Sequence, residues 1–268
     1  LNILRLLVEA CPASATVPAK NDTGHHALMM AFAREQDDAG FPSAAEVSLL
    51  ASAAGGGAAL VADASGKICL HRAVEDGAPV DILEALVKAS PESCLALNKD
   101  GQTPLHLKIS QLAIEGKSID VHQLRVLIDS EGRALIVQDH EGYIALHLAM
   151  ASDAPIATLE ALLNSAPSSI QIKDGRGRSA LFHAIANGAT DLVNLLIEKN
   201  PEALIDQDNL GLTPLNLAIL YNSGGKLPPE YFEQLLGDEK AANKIATLAD
   251  ADGKLPLHSS CQILELVP

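Results

Sequence analysis

His71, His106, His147 and His258 are the first residues whose type and spacing could do chemistry, because each stands five residues after a glycine. A general base or a metal ligand would account for such recurrence. The same position holds Met29, Phe182 and Asn216 elsewhere in the chain. Methionine and phenylalanine can take no proton, so the position reads as structural. His25-His26 is an adjacent pair whose side chains diverge, which argues against chelation by the pair alone. Gly55-Gly56-Gly57 lacks the following Lys-Ser/Thr that a phosphate-cradling loop needs, and it reads as a flexible linker. Asp174-Gly175-Arg176-Gly177-Arg178 has the look of a nucleotide loop, but its register is that of the chain's other turns. Asn21-Asp22-Thr23 fits the N-glycosylation triplet, a pattern common by accident. Cys11, Cys69, Cys94 and Cys261 are far apart with no C-x-x-C spacing. That excludes a zinc cluster or disulfide framework and leaves buried free thiols in a reducing compartment. With no Ser/His/Asp or Cys/His set above chance, the chain reads as non-enzymatic, with no cofactor and no metal.

The elements that carry these residues repeat. Gly24, Gly66, Gly101, Gly142, Gly177, Gly211 and Gly253 are each followed four residues later by leucine: Leu28, Leu70, Leu105, Leu146, Leu181, Leu215 and Leu257. Three residues before each glycine stands Asn21, Asp63, Asn98, Asp139, Asp174, Asp208 or Asp250. The glycines are separated by 42, 35, 41, 35, 34 and 42 residues, a period that marks a repeat array. The Asp or Asn can bond its own backbone two residues on, and glycine supplies a positive φ. Thr103-Pro104 and Thr213-Pro214 are a helix cap and a first helical residue. Ala31, Ala73, Ala149, Ala184 and Ala218 let neighbouring helices approach. Lys108 and Ser260 break this rule, so the helix around Lys108 is expected to be displaced or longer. Apolar residues at helical spacing predict second helices over 80–87, 121–128, 156–163 and 192–197, several ended by proline at Pro12, Pro91, Pro167 and Pro201. Extra length at 36–43, 114–120 and 222–229 is expected to form loops.

Asp100-Gly101-Gln102-Thr103-Pro104-Leu105-His106 and Gly211-Leu212-Thr213-Pro214-Leu215 carry the Gly-x-Thr-Pro-Leu-His phrase, and the chain resembles the ankyrin-repeat family. The resemblance implies an all-α fold: a solenoid of stacked helix–turn–helix units with β-turn fingers. Seven repeats start near residues 21, 63, 98, 139, 174, 208 and 250 in a single array over 1–268, incomplete at both ends. Residues 1–11 match a lone second helix and 254–268 a lone first helix, as in a piece of a longer chain. The repeat-position histidines would lie at the start of each first helix and bond neighbouring backbone.

What remains is a surface. Hydrophobic residues make up 48% of the chain but aromatics only 3%, which suits stacked helices. The net charge of −15 divides into −6 over residues 1–134 and −9 over 135–268, so the acid is diffuse. Such a field disfavours nucleic acid and points to a partner protein that is basic or apolar rather than anionic. No apolar run is long enough to span a membrane. In ankyrin-like stacks the finger tips and first helices line the concave face, so the residues after the glycines are expected there: His25, Lys67, Gln102, Tyr143, Arg178, Leu212 and Lys254. The fifth finger, with Lys173, Arg176 and Arg178, is a basic patch on an acidic protein, and Tyr143 adds an amphipathic anchor. The expectation is a scaffold for another protein, intracellular and cytoplasmic. The alternatives are a regulatory or targeting segment of a larger enzyme or channel, or a structural subunit of a large assembly.

Overall fold

A side-chain carboxylate or carboxamide at the start of the turn organises the finger. In the computed structural model, which describes residues 2–17, 26–32, 41–115, 121–128, 132–152, 154–222, 229–258 and 260–261, one side-chain oxygen takes two backbone N–H groups. Asp63 Oδ1 accepts from Ser65 N at 2.8 Å and Lys67 N at 2.9 Å. Asn98, Asp174, Asp208 and Asp250 repeat the pattern at 2.8–3.0 Å. The backbone closes the same loop, since Asp63 N–H donates to Lys67 O at 2.9 Å and Gly66 N–H to Asp63 O at 3.0 Å.

The glycine has a second reason to be there. Gly66 has φ +77°, and a Cβ on it would lie 2.9 Å from Lys99 N of the next finger. Gly211, at φ +73°, would meet Ala251 N at 2.9 Å. Successive fingers therefore lie backbone on backbone, which only glycine permits.

The chain divides into two compact units, Leu1–His140 and Glu141–Pro268. In the first, helix α1 is Asn2–Ala10, α2 Ala27–Phe32, α3 Ala44–Ala51, α4 Cys69–Glu75, α5 Val80–Ala89, α6 Pro104–Glu115 and α7 Val121–Leu127. The first helices α2, α4 and α6 pack in sequence, and the second helices α3, α5 and α7 form a parallel row. In the second unit, α8 is Ala145–Ala151, α9 Ile156–Ser165, α10 Ala180–Ala186, α11 Thr190–Lys199, α12 Pro214–Tyr221, α13 Pro229–Leu236 and α14 Glu239–Thr247. Here α10 packs between α8 and α12. The described residues are helical with no strands: an all-α solenoid of stacked helical repeats.

The repeat leucines form the seam. Leu28, Leu70, Leu105, Leu146 and Leu181 are at most 2% exposed. Ala73, Ala149, Ala184 and Ala218 are fully buried beside them, where a longer side chain would push the helices apart. Leu257 is 72% exposed, since no described helix covers it. Helix α6, which holds Lys108, runs 12 residues against 7 for α4, α8 and α10. Residues 36–40, 116–120 and 223–228 of the expected loops lie outside the described residues.

Three readings need correction. The prolines do more than end helices. Pro12, Pro91, Pro167 and Pro201 each open a 3-10 turn (Pro12–Thr16, Pro91–Leu95, Pro167–Gln171, Pro201–Ile205) that leads into the next finger. The preceding residue is held extended, as at Ser90 with φ −150°, which proline's ring demands of its neighbour. Gly55-Gly56-Gly57 is not a flexible linker but part of a 3-10 segment, Ala53–Leu60. A Cβ on Gly56 would lie 2.5 Å from Ala89 O, so small residues are required where this segment packs against the end of α5. Of the four free cysteines, Cys69 and Cys94 are buried as expected, but Cys11 and Cys261 are exposed. The sixth copy also departs from the others. It has a further helix, α14, capped by Asp238 accepting from Ala241 N at 2.7 Å, where the second, fourth and fifth copies have the proline-led turn.

Replacing Gly66 by alanine forces a positive φ and a backbone clash, and is expected to cost about 1–3 kcal/mol or more. Gly253→Ala shares the φ of +76° but meets nothing within 4 Å, so its penalty is expected to be smaller. Urea unfolding of both variants measures the difference, which reports the close approach alone.

Candidate binding face on the finger ladder

From the third finger on, each is hydrogen-bonded to the one before it in a fixed register. The amide of a finger's second residue donates to the carbonyl of the preceding finger's third. In the first unit these bonds are Lys99 N to Ser65 O and His140 N to Asp100 O, both 3.1 Å. In the second they are Gly175 N to Glu141 O at 2.9 Å, Asn209 N to Arg176 O at 2.8 Å and Ala251 N to Leu210 O at 2.8 Å. The tips thereby form a row in each unit, and Arg176 and Leu210 occupy equivalent, adjacent places.

The repeat-position histidines hold this arrangement to the helices. Ile68 N–H donates to His71 Nδ1 at 3.2 Å, and His71 Nε2 lies 2.9 Å from Gln102 O in the next finger. A backbone N–H can only donate, so Nδ1 is bare and the single proton sits on Nε2. The ring is neutral, caps its own helix and ties one repeat to the next. His147 does the same with Ile144 N and Ile172 O, at 3.2 and 3.0 Å. Asn216 replaces the cap in the sixth copy, its Oδ1 accepting from Thr213 N at 3.1 Å. His26 is buried, and its Nδ1 accepts from Met29 N at 3.2 Å; His25 lies outside the described residues.

The sequence-predicted face is brought together only in part. Lys67 is half-buried and paired with Glu75 at 2.6 Å. Gln102 gives its carbonyl to His71. Lys173 is paired with Asp206 at 2.9 Å. Arg178 Nε meets Asp208 Oδ2 at 3.2 Å, with 21% of the arginine side chain and 1% of the aspartate exposed. Arg176 is exposed, with no carboxylate within ion-pair distance among the described residues. Leu212 is half-buried. Tyr143 is half-buried rather than projecting, its ring edge-on to His183 and His147 at centroid distances of 5.4 and 6.2 Å.

Two features escaped the sequence. His183, one residue past the repeat position, bonds Asp174 Oδ2 through Nε2 at 3.0 Å. Burial pushes its pKa down, outweighing the opposing pull of Asp174, with Arg178 and Arg176 lowering it further. Leu210, at the sixth tip, is 59% exposed. Reading the third residue of every finger as a tip would have found it, since other described copies carry Ser65, Asp100, Glu141, Arg176 and Asp252 there.

The comparisons with known proteins agree with this geometry. The family model described as Ankyrin repeats (3 copies) matches residues 146–247. The B-cell lymphoma 3 protein homolog of Mus musculus is 36% identical over 132 residues, covering 48% of this chain and 27% of that protein. Ankyrin repeat-containing protein C6C3.08 of Schizosaccharomyces pombe is 27% identical over 143 residues, 53% of this chain and 58% of that one. The chain thus spans only part of the length of the curated relatives it matches. Among solved structures, the ankyrin repeat domain of Bcl-3 superposes with a TM-score of 0.65 over 91% of this chain and 100% of that one, at 22% identity, a likeness of fold. The class of protein is therefore a helical-repeat solenoid, and residues 146–247 of the chain are ankyrin repeats. Ankyrin repeats are protein–protein interaction modules, and no described helix is long and apolar enough to cross a membrane.

Two expectations follow from the buried groups. Burial also pushes the His71 pKa below its ordinary 6.5, against smaller opposing contributions from Gln102, Glu75 and Asp63. The unfolded chain then takes up the proton first, so stability is full above pH 6.5 and falls as pH drops through the lowered folded value. The slope is at most about 1.4 kcal/mol per pH unit for each histidine. His71→Asn copies the cap of Asn216, and is expected to cost about 1 kcal/mol at pH 7.5 yet flatten the decline toward pH 5, measured by urea unfolding across pH. Arg178→Ala strands the buried Asp208 carboxylate and is expected to cost about 1–3 kcal/mol. Lys173→Ala, at a partly exposed pair, should cost under about 1 kcal/mol; thermal and urea unfolding compare the two.

Proposed function

We propose that this chain is a non-enzymatic scaffold that holds a partner protein on its row of fingers and the adjoining first helices. The observation that supports it most is the pairing of a fixed frame with varied contacts. The ladder links successive fingers in each unit and the turns at Asp63, Asn98, Asp174, Asp208 and Asp250 share one hydrogen-bonded form, while the residue after each glycine changes from Lys67 to Gln102, Tyr143, Arg178 and Leu212. A pre-formed surface loses little entropy on binding. The repeat register runs through residues 1–268, which we read as one array.

The diffuse charge of −15 favours a basic or apolar partner over nucleic acid. Most of the basic patch is already neutralised by Asp206 and Asp208, which argues the same way. The buried thiols of Cys69 and Cys94 fit an intracellular, cytoplasmic setting. The partial coverage of its relatives supports a second reading, in which the array regulates or targets a longer enzyme or channel, or serves a large assembly.

The test is affinity purification with the native chain, a Tyr143→Ala/Arg176→Ala/Arg178→Ala variant shown to be folded by circular dichroism, and Arg176→Ala alone. Proteins retained by the native chain are expected to be lost from the triple variant and reduced with the single one. A folded triple variant that keeps every partner removes the finger face from consideration.

A further inference from the structure

We infer that the adjacent tips of the fifth and sixth fingers, Arg176 and Leu210, receive a partner segment that carries one carboxylate beside an apolar side chain. This rests on the finger-face reading and names the chemistry it takes.

Four finger cations lie in the second unit. Lys173 has Asp206 at 2.9 Å, Arg178 has Asp208 at 3.2 Å and Lys254 has Asp252 at 3.9 Å. Arg176 is the exposed one with no carboxylate in range among the described residues. Its backbone is committed: N–H to Asp174 Oδ1 at 2.9 Å and C=O from Asn209 N–H at 2.8 Å. The guanidinium is thus presented from a fixed point, and no described residue offers it a counter-ion. A planar guanidinium with five donors is matched by a carboxylate, bidentate where geometry allows.

The count of uncompensated charge narrows the ligand further. A polyanion would find here a single cation without a carboxylate among the described finger residues, since Asp206, Asp208 and Asp252 already hold Lys173, Arg178 and Lys254. One carboxylate is what the site can neutralise.

Leu210 supplies the second point. It is 59% exposed at the neighbouring tip, where the other described copies present charged or hydroxyl side chains. Asn209 fixes its position twice, through N–H to Arg176 O and through Nδ2–H to Gly175 O at 3.1 Å. Leu212 of the same finger is half-buried, so apolar surface continues from the tip toward α12. A segment with its acid on Arg176 can lay an adjacent apolar side chain on Leu210. The two contacts have separate physical signatures, one screened by salt and one not.

The probe is a displayed library of random linear peptides selected on the immobilised chain. Enriched peptides are expected to share an Asp or Glu beside a Leu, Ile, Val or Phe. The leading peptide, synthesised, is expected to lose about tenfold or more in affinity on Arg176→Glu, and likewise on Leu210→Asp. Replacing its acid by lysine should restore binding to Arg176→Glu, and raised salt should weaken the native pair. Both side chains are exposed and outside the ladder bonds, so circular dichroism should be unchanged; Arg176→Gln serves if charge reversal perturbs the fold. Peptides indifferent to changes at Arg176 and Leu210 but lost with Tyr143→Ala/Leu212→Ala would overturn this contact and leave the finger face standing. Peptides lost with neither set, or a library that yields none bound through the fingers, would overturn it as well, the former taking the finger face with it.

Discussion

The backbone ladder between fingers is the constraint on which the rest of this molecule depends. Each rung joins residues more than thirty positions apart in the chain, and each requires two backbones to lie closer than a Cβ allows. Glycine is demanded twice at one position, by its positive φ and by the neighbour pressed against it. Once the rungs form, the spacing of the first helices is set. Alanine at the helix contacts and leucine in the seam are then the residues that fill that spacing without voids or overlap. An array built this way gains stability by adding neighbours.

The histidines extend the same logic from fingers to helices. A neutral imidazole offers one acceptor and one donor on opposite edges. The acceptor takes the N–H that a helix start leaves orphaned, and the donor reaches the carbonyl of the next finger. Methionine and phenylalanine at the equivalent position give up both bonds for apolar packing, and Asn216 keeps the cap alone. His71 and His147 are therefore joints between repeats. At His71 burial is the main cause of neutrality, and the backbone N–H that donates to Nδ1 acts in the same direction.

Charge on this protein is arranged to be locally satisfied and globally negative. The basic patch that stands out in the sequence is mostly consumed within the fold, since Lys173 and Arg178 face aspartates contributed by the following repeat. Tyr143 is likewise drawn against His147 and His183 instead of standing clear. The surface that results is quieter than the composition suggests, and what remains unspent stands out against it.

The amino-acid sequence by itself determined the periodicity, the all-α class, the turns formed by Asp63, Asn98, Asp174, Asp208 and Asp250, the buried leucines and alanines, and the place of the histidines at the helix starts. These are local rules, repeated often enough to be read from one chain: an oxygen that bonds its own backbone, a glycine with positive φ, a small residue at helical spacing. The proline-led 3-10 turns, the packed Gly55–Gly57 segment and helix α14 were not legible, because each is decided by what lies against it and not by its own residues. Only the tertiary structure decided which side of the face is free. Arg178 and Asp208 are thirty residues apart, and Tyr143 and His183 forty, so no local pattern announces that they meet. Stacking brings them together, and stacking is also what leaves Arg176 and Leu210 side by side and uncovered.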